Sequence, residues 1–205
     1  MNIFKDNPLK IIEETHQMVV DLPSTTQLIN LLYPFDIDSI PSEFLKMGQD
    51  RGICVHKQIE EYILHKKESH CPHNIKTHQK QGKLIIAWYQ GFIDRIEKEY
   101  GPMEKYPEMN LFCGDYRGSI DLILLNDTFC FIIDWKTTKE PHLEKENLQT
   151  FMYKKLVKIW LSERYCWNEF IRLTYNPNIK KEYWYIDNDQ VIDDFNKCLE
   201  LYRFS

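Results

Sequence analysis

Gly118–Lys136, GSIDLILLNDTFCFIIDWK, decides how the rest of this chain is read. Two apolar runs, SIDLILL and CFIIDW, flank the turn residues Asn126–Thr128, so the stretch reads as an antiparallel hairpin. Folding about Asp127 and Thr128 sets position 121 opposite position 134. Residues directly opposite in such a pair hold their Cβ atoms about 4.5–5.5 Å apart. Two carboxylates that close repel unless a cation lies between them. Lys136 follows Asp134 by two residues, so strand alternation returns it to the same face. Each aspartate interrupts an otherwise unbroken apolar run, where an unpaired carboxylate would cost several kcal/mol.

Two acids and an ammonium meeting at one point imply metal-assisted chemistry on a phosphodiester. That reaction needs an activated water, charge neutralisation on the phosphate and help for the departing oxygen. Carboxylates on rigid strands hold Mg²⁺ or Mn²⁺ for these tasks. Asp121 and Asp134 are the expected metal ligands, with the Trp135 backbone carbonyl as a third. Lys136 is expected to orient the attacking water and stabilise the pentavalent transition state. Two neighbouring anions raise its pKa, which argues against its acting as a base.

With 205 residues the chain is one domain's worth, enough to bury roughly 70% of its unfolded surface. Its 43% hydrophobic and 28% charged content fits a soluble globular protein. No apolar run approaches the roughly 20 residues that cross a bilayer. The start, MNIFKDNPLKIIEE, lacks a signal peptide's apolar region and cleavage site, so a cytoplasmic location with no membrane partner is expected. The six cysteines are scattered, with no CxxC, which suits reduced thiols better than a disulfide framework. Net charge is −5, yet His65–Lys83 carries five lysines and four histidines against one acid. A second basic group follows the hairpin: Lys136, Lys139, Lys145, Lys154, Lys155 and Lys158. Either run alone reads as a solvated helix face; two flanking a carboxylate pair read as a phosphate track.

The fold class read from the pattern is α/β, a single domain with a mixed sheet of about five strands flanked by helices. Residues 1–104 form a mainly helical portion and 105–205 the catalytic sheet with its helices. Ser24 and Gln27 are spaced as a capping box before TTQLINLLY, and Pro34–Pro41 is a loop. Ser42 caps a long helix to about Lys66, with Phe44, Met47, Ile53, Val55, Ile59, Tyr62 and Ile63 on one broad apolar face and a break possible at Gly48 and Gly52. A second helix runs from about Ile75 to Tyr100. Glu108–Phe112, Gly118–Leu125 and Phe129–Lys136 are consecutive strands. A helix from about Leu143 to Arg164, strands near Trp167–Tyr175 and Lys181–Ile186, and a helix over about Gln190–Tyr202 complete the order.

The spacing of GSID and IIDWKTTK resembles the PD-(D/E)XK nuclease superfamily, in particular its RecB-like branch. RGICVHKQIEEY resembles that branch's upstream glycine–histidine motif, and LQTFMY its Q-x-x-x-Y motif. LPSTTQLI resembles the P-S-x-T segment of short stand-alone members, among them phage exonucleases and the mitochondrial genome maintenance exonuclease. These matches run from about Leu22 to Tyr153, around two-thirds of the chain.

The resemblance implies a restriction-endonuclease-like core and a Mg²⁺- or Mn²⁺-dependent exonuclease trimming DNA ends, single-stranded or frayed, in recombination, replication or repair. It implies that His56 is a further metal ligand, and that Gln149 and Tyr153 line the catalytic site with Asp121, Asp134 and Lys136. From the residues alone, His56 between Val55 and Ile59 equally fits a satisfied half-buried histidine. Ser24 and Thr26 are read as DNA contacts at a helix start, together with Lys139 ahead of the lysine-rich helix and Lys154 on it. Glu108 is either an acid behind the metal ligands or a surface residue. A separate recombinase, single-strand-binding protein or helicase would be the protein partner. The alternatives are a structure-specific or restriction-type endonuclease, or a non-catalytic DNA-binding subunit. Members with an iron–sulfur cluster need clustered downstream cysteines; Cys166 and Cys198 are too far apart, so no cluster is expected. His65, His70, Cys71, His73 and His78 match no standard zinc-finger spacing and are read as a polar connecting loop.

Overall fold

The computed structural model describes residues 22–34, 40–68, 71, 75–138, 140–161 and 169–204. Its elements are α1 (Thr25–Leu32), α2 (Ser42–His65), α3 (Lys76–Tyr100), β1 (Glu104–Phe112), β2 (Arg117–Leu125), β3 (Phe129–Trp135), α4 (Leu143–Leu161), β4 (Glu169–Asn176), β5 (Lys181–Tyr185) and α5 (Asp189–Arg203). The strands form one five-stranded mixed sheet in the order β1-β2-β3-β4-β5. Only β3 and β4 run parallel, joined by α4, and the other neighbours are antiparallel. The fold is therefore α/β, as the alternation of periods implies. Among the described residues no helix is long and apolar enough to cross a membrane.

The hairpin forms in the expected register, with Leu122 opposite Ile133 and Leu125 opposite Cys130. Asn126 shapes its turn: Oδ1 accepts from the backbone N–H of Thr128 and Phe129, and Nδ2 donates to the Tyr100 carbonyl at 2.8 Å. That last bond ties the turn to the end of α3. One sheet face is covered by α1, α4 and α5 through Leu28, Leu148, Met152 and Val191. The other lies beneath α2 and α3, where Val55, Ile59, Ile85, Tyr89 and Phe92 meet Leu122, Leu124, Phe131 and Ile133. The side chains between sheet and helices approach zero exposure, each contributing about 1.5–3 kcal/mol of burial.

Several boundaries differ from the sequence reading. The α1 capping box is present, with the Gln27 amide N–H donating to Ser24 Oγ and Gln27 Oε1 accepting from the Ser24 N–H. Ser42 does not cap α2; Pro41 holds that position with no side-chain bond, and Ser42 is the first helical residue. The helix is unbroken at Gly48 and Gly52, and its amino-terminal apolar residues Phe44, Met47 and Ile53 are exposed. Only the half from Cys54 onward packs on the sheet. Strand β1 begins at Glu104, four residues before the expected start; edge position and Pro107 hide its alternation. Cys54 and Cys71, expected as reduced thiols, are joined as a disulfide between α2 and its following connection. Residues 162–168, with the expected helix end at Arg164 and strand start at Trp167, and most of the Pro34–Pro41 loop lie outside the described residues, as do His70, His73, Lys139 and Cys166.

Candidate active site

The alternation of β2 slips at Asp121. Ile120, Ile123 and Leu125 pack with the α4 face, whereas Leu122 and Leu124 pack with the α2–α3 face. Strand β1 slips at the facing position, since Tyr106, Met109 and Leu111 share the α4 face. Glu108 makes that slip with φ 50°, a left-handed backbone that a non-glycine residue adopts at a cost of about 1 kcal/mol or more. The β2–β3 ladder ends at Leu122↔Ile133. One residue further, Asp121 Oδ2 accepts the Trp135 backbone N–H at 2.6 Å in place of a strand carbonyl. The strands open where the carboxylates lie.

His56 reaches this opening from α2. Its Nδ1 lies 3.2 Å from Asp121 Oδ1 and 3.2 Å from Glu108 Oε1. One donor atom from each of His56, Glu108 and Asp121 falls within 4.8 Å of the others, a grouping fit for a metal ion. A cavity of about 400 Å³ beside it is lined by Gly52, His56, Lys57, Glu60 and Glu108. Burial works against the imidazolium of His56, but the charges of Asp121 and Glu108 outweigh it and push its pKa up to about 11. Burial, and then the nearby Asp121 charge, raise the Glu108 carboxyl. A site that draws protons in this way is one whose anions want a cation.

Asp134 and Lys136 share the α4 face, as alternation requires. Asp134 Oδ2 lies 2.6 Å from Lys136 Nζ, so its carboxylate turns to the ammonium rather than into the His56–Glu108–Asp121 group. Burial is the main reason its pKa climbs to about 7, with the Asp121 charge adding to it and Lys136 opposing. Burial lowers the Lys136 pKa, yet Asp134 and Asp121 raise it on balance, so Lys136 remains an ammonium. Nζ also donates to Gln149 Oε1 at 2.6 Å, and Gln149 Nε2 donates to Tyr153 Oη at 2.6 Å. Tyr153 is hydrogen-bonded in turn to Thr25. Asp134, Lys136, Gln149, Tyr153 and Thr25 thus form one chain of contacts across three elements.

The glycine of GSID serves this chain. A Cβ at Gly118 would come within 2.8 Å of the Tyr153 ring and 3.1 Å of Thr25, so only glycine lets β2 pass under Tyr153. The Pro23–Thr26 segment is laid beside the same strand, with the Arg117 N–H donating to the Pro23 carbonyl and Arg117 Nε to the Leu22 carbonyl. Ser24 and Thr26, with Phe112, Arg117, Ser119 and Tyr153, line a cavity of about 450 Å³.

The structure therefore brings together His56, Asp121, Asp134, Lys136, Gln149 and Tyr153, and places Ser24 and Thr26 beside them. The Trp135 peptide enters through its N–H, while its indole stacks edge-on with Trp88 on the opposite face. Lys154 is not brought to the site: it pairs with Asp187, which also holds the buried Arg172 at 3.0 Å. Lys139 lies outside the described residues. Glu108, part-exposed, lies 3.2 Å from His56, and Thr25 meets Tyr153, a contact not expected from the helix-start reading of this segment. Tyr153 at the end of Q-x-x-x-Y was the available signal, since a buried phenol needs a partner.

No family model and no curated protein matches the chain. Among the solved structures that are similar is that of SSO0001, at 16% identity, covering 75% of this chain and 86% of its own, with a TM-score of 0.33.

Proposed function

We propose that the chain is a metal-dependent deoxyribonuclease with a restriction-endonuclease-like core, resembling the RecB-like branch of the PD-(D/E)XK superfamily and acting as an exonuclease on DNA ends. The observation that carries this is the convergence of Asp121, Asp134 and Lys136 at the opened end of one hairpin, with His56 on one side and Gln149 on the other. Hard oxygen donors with one imidazole suit Mg²⁺ or Mn²⁺. His56, Asp121, Asp134 and the Trp135 carbonyl would hold the ion, and Glu108 would join or back them. When bound, it supplies charge neutralisation on the phosphate and an acidified water.

The chain's own residues do the rest. Lys136, kept protonated by its anionic neighbours, orients the attacking water and meets charge developing on the phosphate oxygens. Gln149 fixes the ammonium by accepting from it, and Tyr153 and Thr25 fix Gln149. Arg117, the hydroxyls of Ser24 and Thr26, and the Phe112 ring line a cleft suited to a phosphate and a stacked base, which supports single-stranded or frayed ends as substrate.

The test is digestion of 5′- and 3′-labelled single- and double-stranded oligonucleotides with Mg²⁺ or Mn²⁺, with EDTA and circular single-stranded DNA as controls. Cleavage that needs metal, spares the circle and vanishes in Lys136→Ala supports the reading. Full-rate cleavage by Lys136→Ala, or none by the wild-type chain, ends the catalytic assignment.

A further inference from the structure

We propose that Cys54, Cys71 and His78 form a zinc site separate from the carboxylate centre, with its two sulfur ligands stored as the Cys54–Cys71 disulfide until a dithiol reduces it. The three residues come from α2, from the connection that follows it, and from the first turn of α3. One ligand atom from each lies within 4.8 Å of the other two, and Cys71 Sγ is 3.7 Å from His78 Nδ1. Tetrahedral zinc, with Zn–S about 2.3 Å and Zn–N about 2.0 Å, has an S···N edge of about 3.5 Å. Exposure is 0% at Cys54, 3% at Cys71 and 6% at His78, so this is an interior cluster and not a chance meeting of surface thiols.

A supporting side chain is already in place. Gln58, one turn after Cys54 and itself buried, donates from Nε2 to the Cys54 carbonyl at 2.9 Å. The same nitrogen lies 3.6 Å from Cys54 Sγ and 3.5 Å from the His78 carbonyl. A donor aimed at sulfur favours the thiolate that a metal needs. Gln58 fits between the helices because position 82 is glycine: a Cβ there would meet Gln58 Oε1 at 2.7 Å.

Donor chemistry separates the two centres. Two thiolates and an imidazole select zinc, whereas the oxygen-rich group around Asp121 selects a hard ion. On α2, Cys54 and His56 are two residues apart and so point roughly 200° from each other. A zinc clip on one side of the helix fixes its rotation, and with it the direction of His56 on the other. In the reduction, two electrons and two protons pass from the dithiol to the Cys54 and Cys71 sulfurs, and the dithiol closes to its own disulfide. Zinc then displaces both thiol protons to solvent. The finger-like spacing was absent from the histidine-rich connection because one sulfur lies 17 residues upstream, inside the preceding helix.

The full-length protein, reduced with dithiothreitol and desalted without oxygen, is loaded with zinc and its metal content measured after gel filtration. Cobalt loading, read by the thiolate charge-transfer band, reports the ligands directly. About one zinc per chain is expected for a single site of this donor set. Counted above any zinc held by the carboxylate centre, this ion should be absent in the oxidised protein and in Cys71→Ser, at least tenfold weaker in His78→Asn, and retained in Asp121→Asn. Reduced wild type that binds no zinc, or that binds no more than a folded Cys71→Ser, overturns the proposal. If Cys71→Ser misfolds by circular dichroism, unchanged affinity in His78→Asn does so. The readout is metal content, so it stands whether or not the carboxylate centre cleaves DNA.

Discussion

At the turn end of the β2–β3 ribbon, four successive pairs from Leu122↔Ile133 to Leu125↔Cys130 are in register, and those side chains are almost wholly buried. At the other end, one residue further along each strand, the ladder stops, Glu108 opposite takes a positive φ, and Asp121 and Asp134 are buried at 5% and 3% exposure. The same two strands supply both ends. At the turn end, apolar packing and the Asn126 side chain, which bonds Thr128, Phe129 and Tyr100, hold the strands. At the open end, a carboxylate replaces a ladder carbonyl, and the remaining charges answer one another. Apolar burial is concentrated where the sheet follows its rules, and the proposed chemistry lies where it departs from them.

Substitutions at the open end should therefore cost activity, and those at the turn end stability. The largest effect is expected for Asp134→Ala and Lys136→Ala, with metal-dependent cleavage down about 10³-fold or more, an effect of roughly 4 kcal/mol on the transition state. Circular dichroism should show both variants folded. At the turn end, Leu124→Ala should lower unfolding free energy by about 2–5 kcal/mol in a urea melt, while the folded fraction cleaves at the wild-type rate. A loss of specific activity there would erase the distinction.

Proton linkage gives a smaller and more particular contrast. Folding raises the Asp134 pKa to about 7, whereas an unfolded aspartate titrates near 3.9. Between these values the native chain holds a proton that the unfolded chain has lost. Stability of the metal-free protein should therefore fall as pH rises from about 4 to about 7. His56, raised to about 11, continues the decline above its unfolded value of about 6.5. In EDTA, wild type should lose on the order of 2 kcal/mol relative to Asp134→Asn between pH 5 and pH 7, read by denaturation at each pH. Added Mg²⁺ or Mn²⁺ should stabilise wild type more at pH 7 than at pH 5, since the ion competes with that proton. The smallest effect is expected at Glu108. Its φ favours glycine, so Glu108→Gly should raise stability by about 1 kcal/mol while weakening Mn²⁺ binding. If stability drops as well, the positive φ is not a cost carried for the site.

Much of this was legible in local pattern. Apolar runs flanking Asn126–Thr128 carried the hairpin register; the direct Asp121–Asp134 pairing they implied is absent, because the ladder stops at Leu122↔Ile133 and Asp121 accepts the Trp135 N–H instead. The resemblance of LQTFMY to a Q-x-x-x-Y motif singled out Gln149 and Tyr153, and their four-residue spacing put both on one helix face; that this face meets Lys136 is seen only in the fold. What escaped had no local signal. The exposed Phe44, Met47 and Ile53 carry the same periodicity as the packed half of α2, and only the extent of the sheet decides which half it covers. Glu108 lies in an edge strand with mixed polarity and next to a proline, so its inward turn comes from a backbone slip that periodicity cannot express. Cys54 and Cys71 meet because the chain reverses between α2 and α3, a tertiary fact absent from their spacing.

In the proposed site, Asp121 and Asp134 share one divalent ion with His56. Anomalous diffraction from crystals soaked in Mn²⁺ tests it most directly. A single strong peak is expected at the open end of the ribbon, within bonding distance of His56 and both aspartates. A peak elsewhere with none at that position, or Asp134 still turned to Lys136 beside an ion held by His56, Glu108 and Asp121 alone, would contradict it.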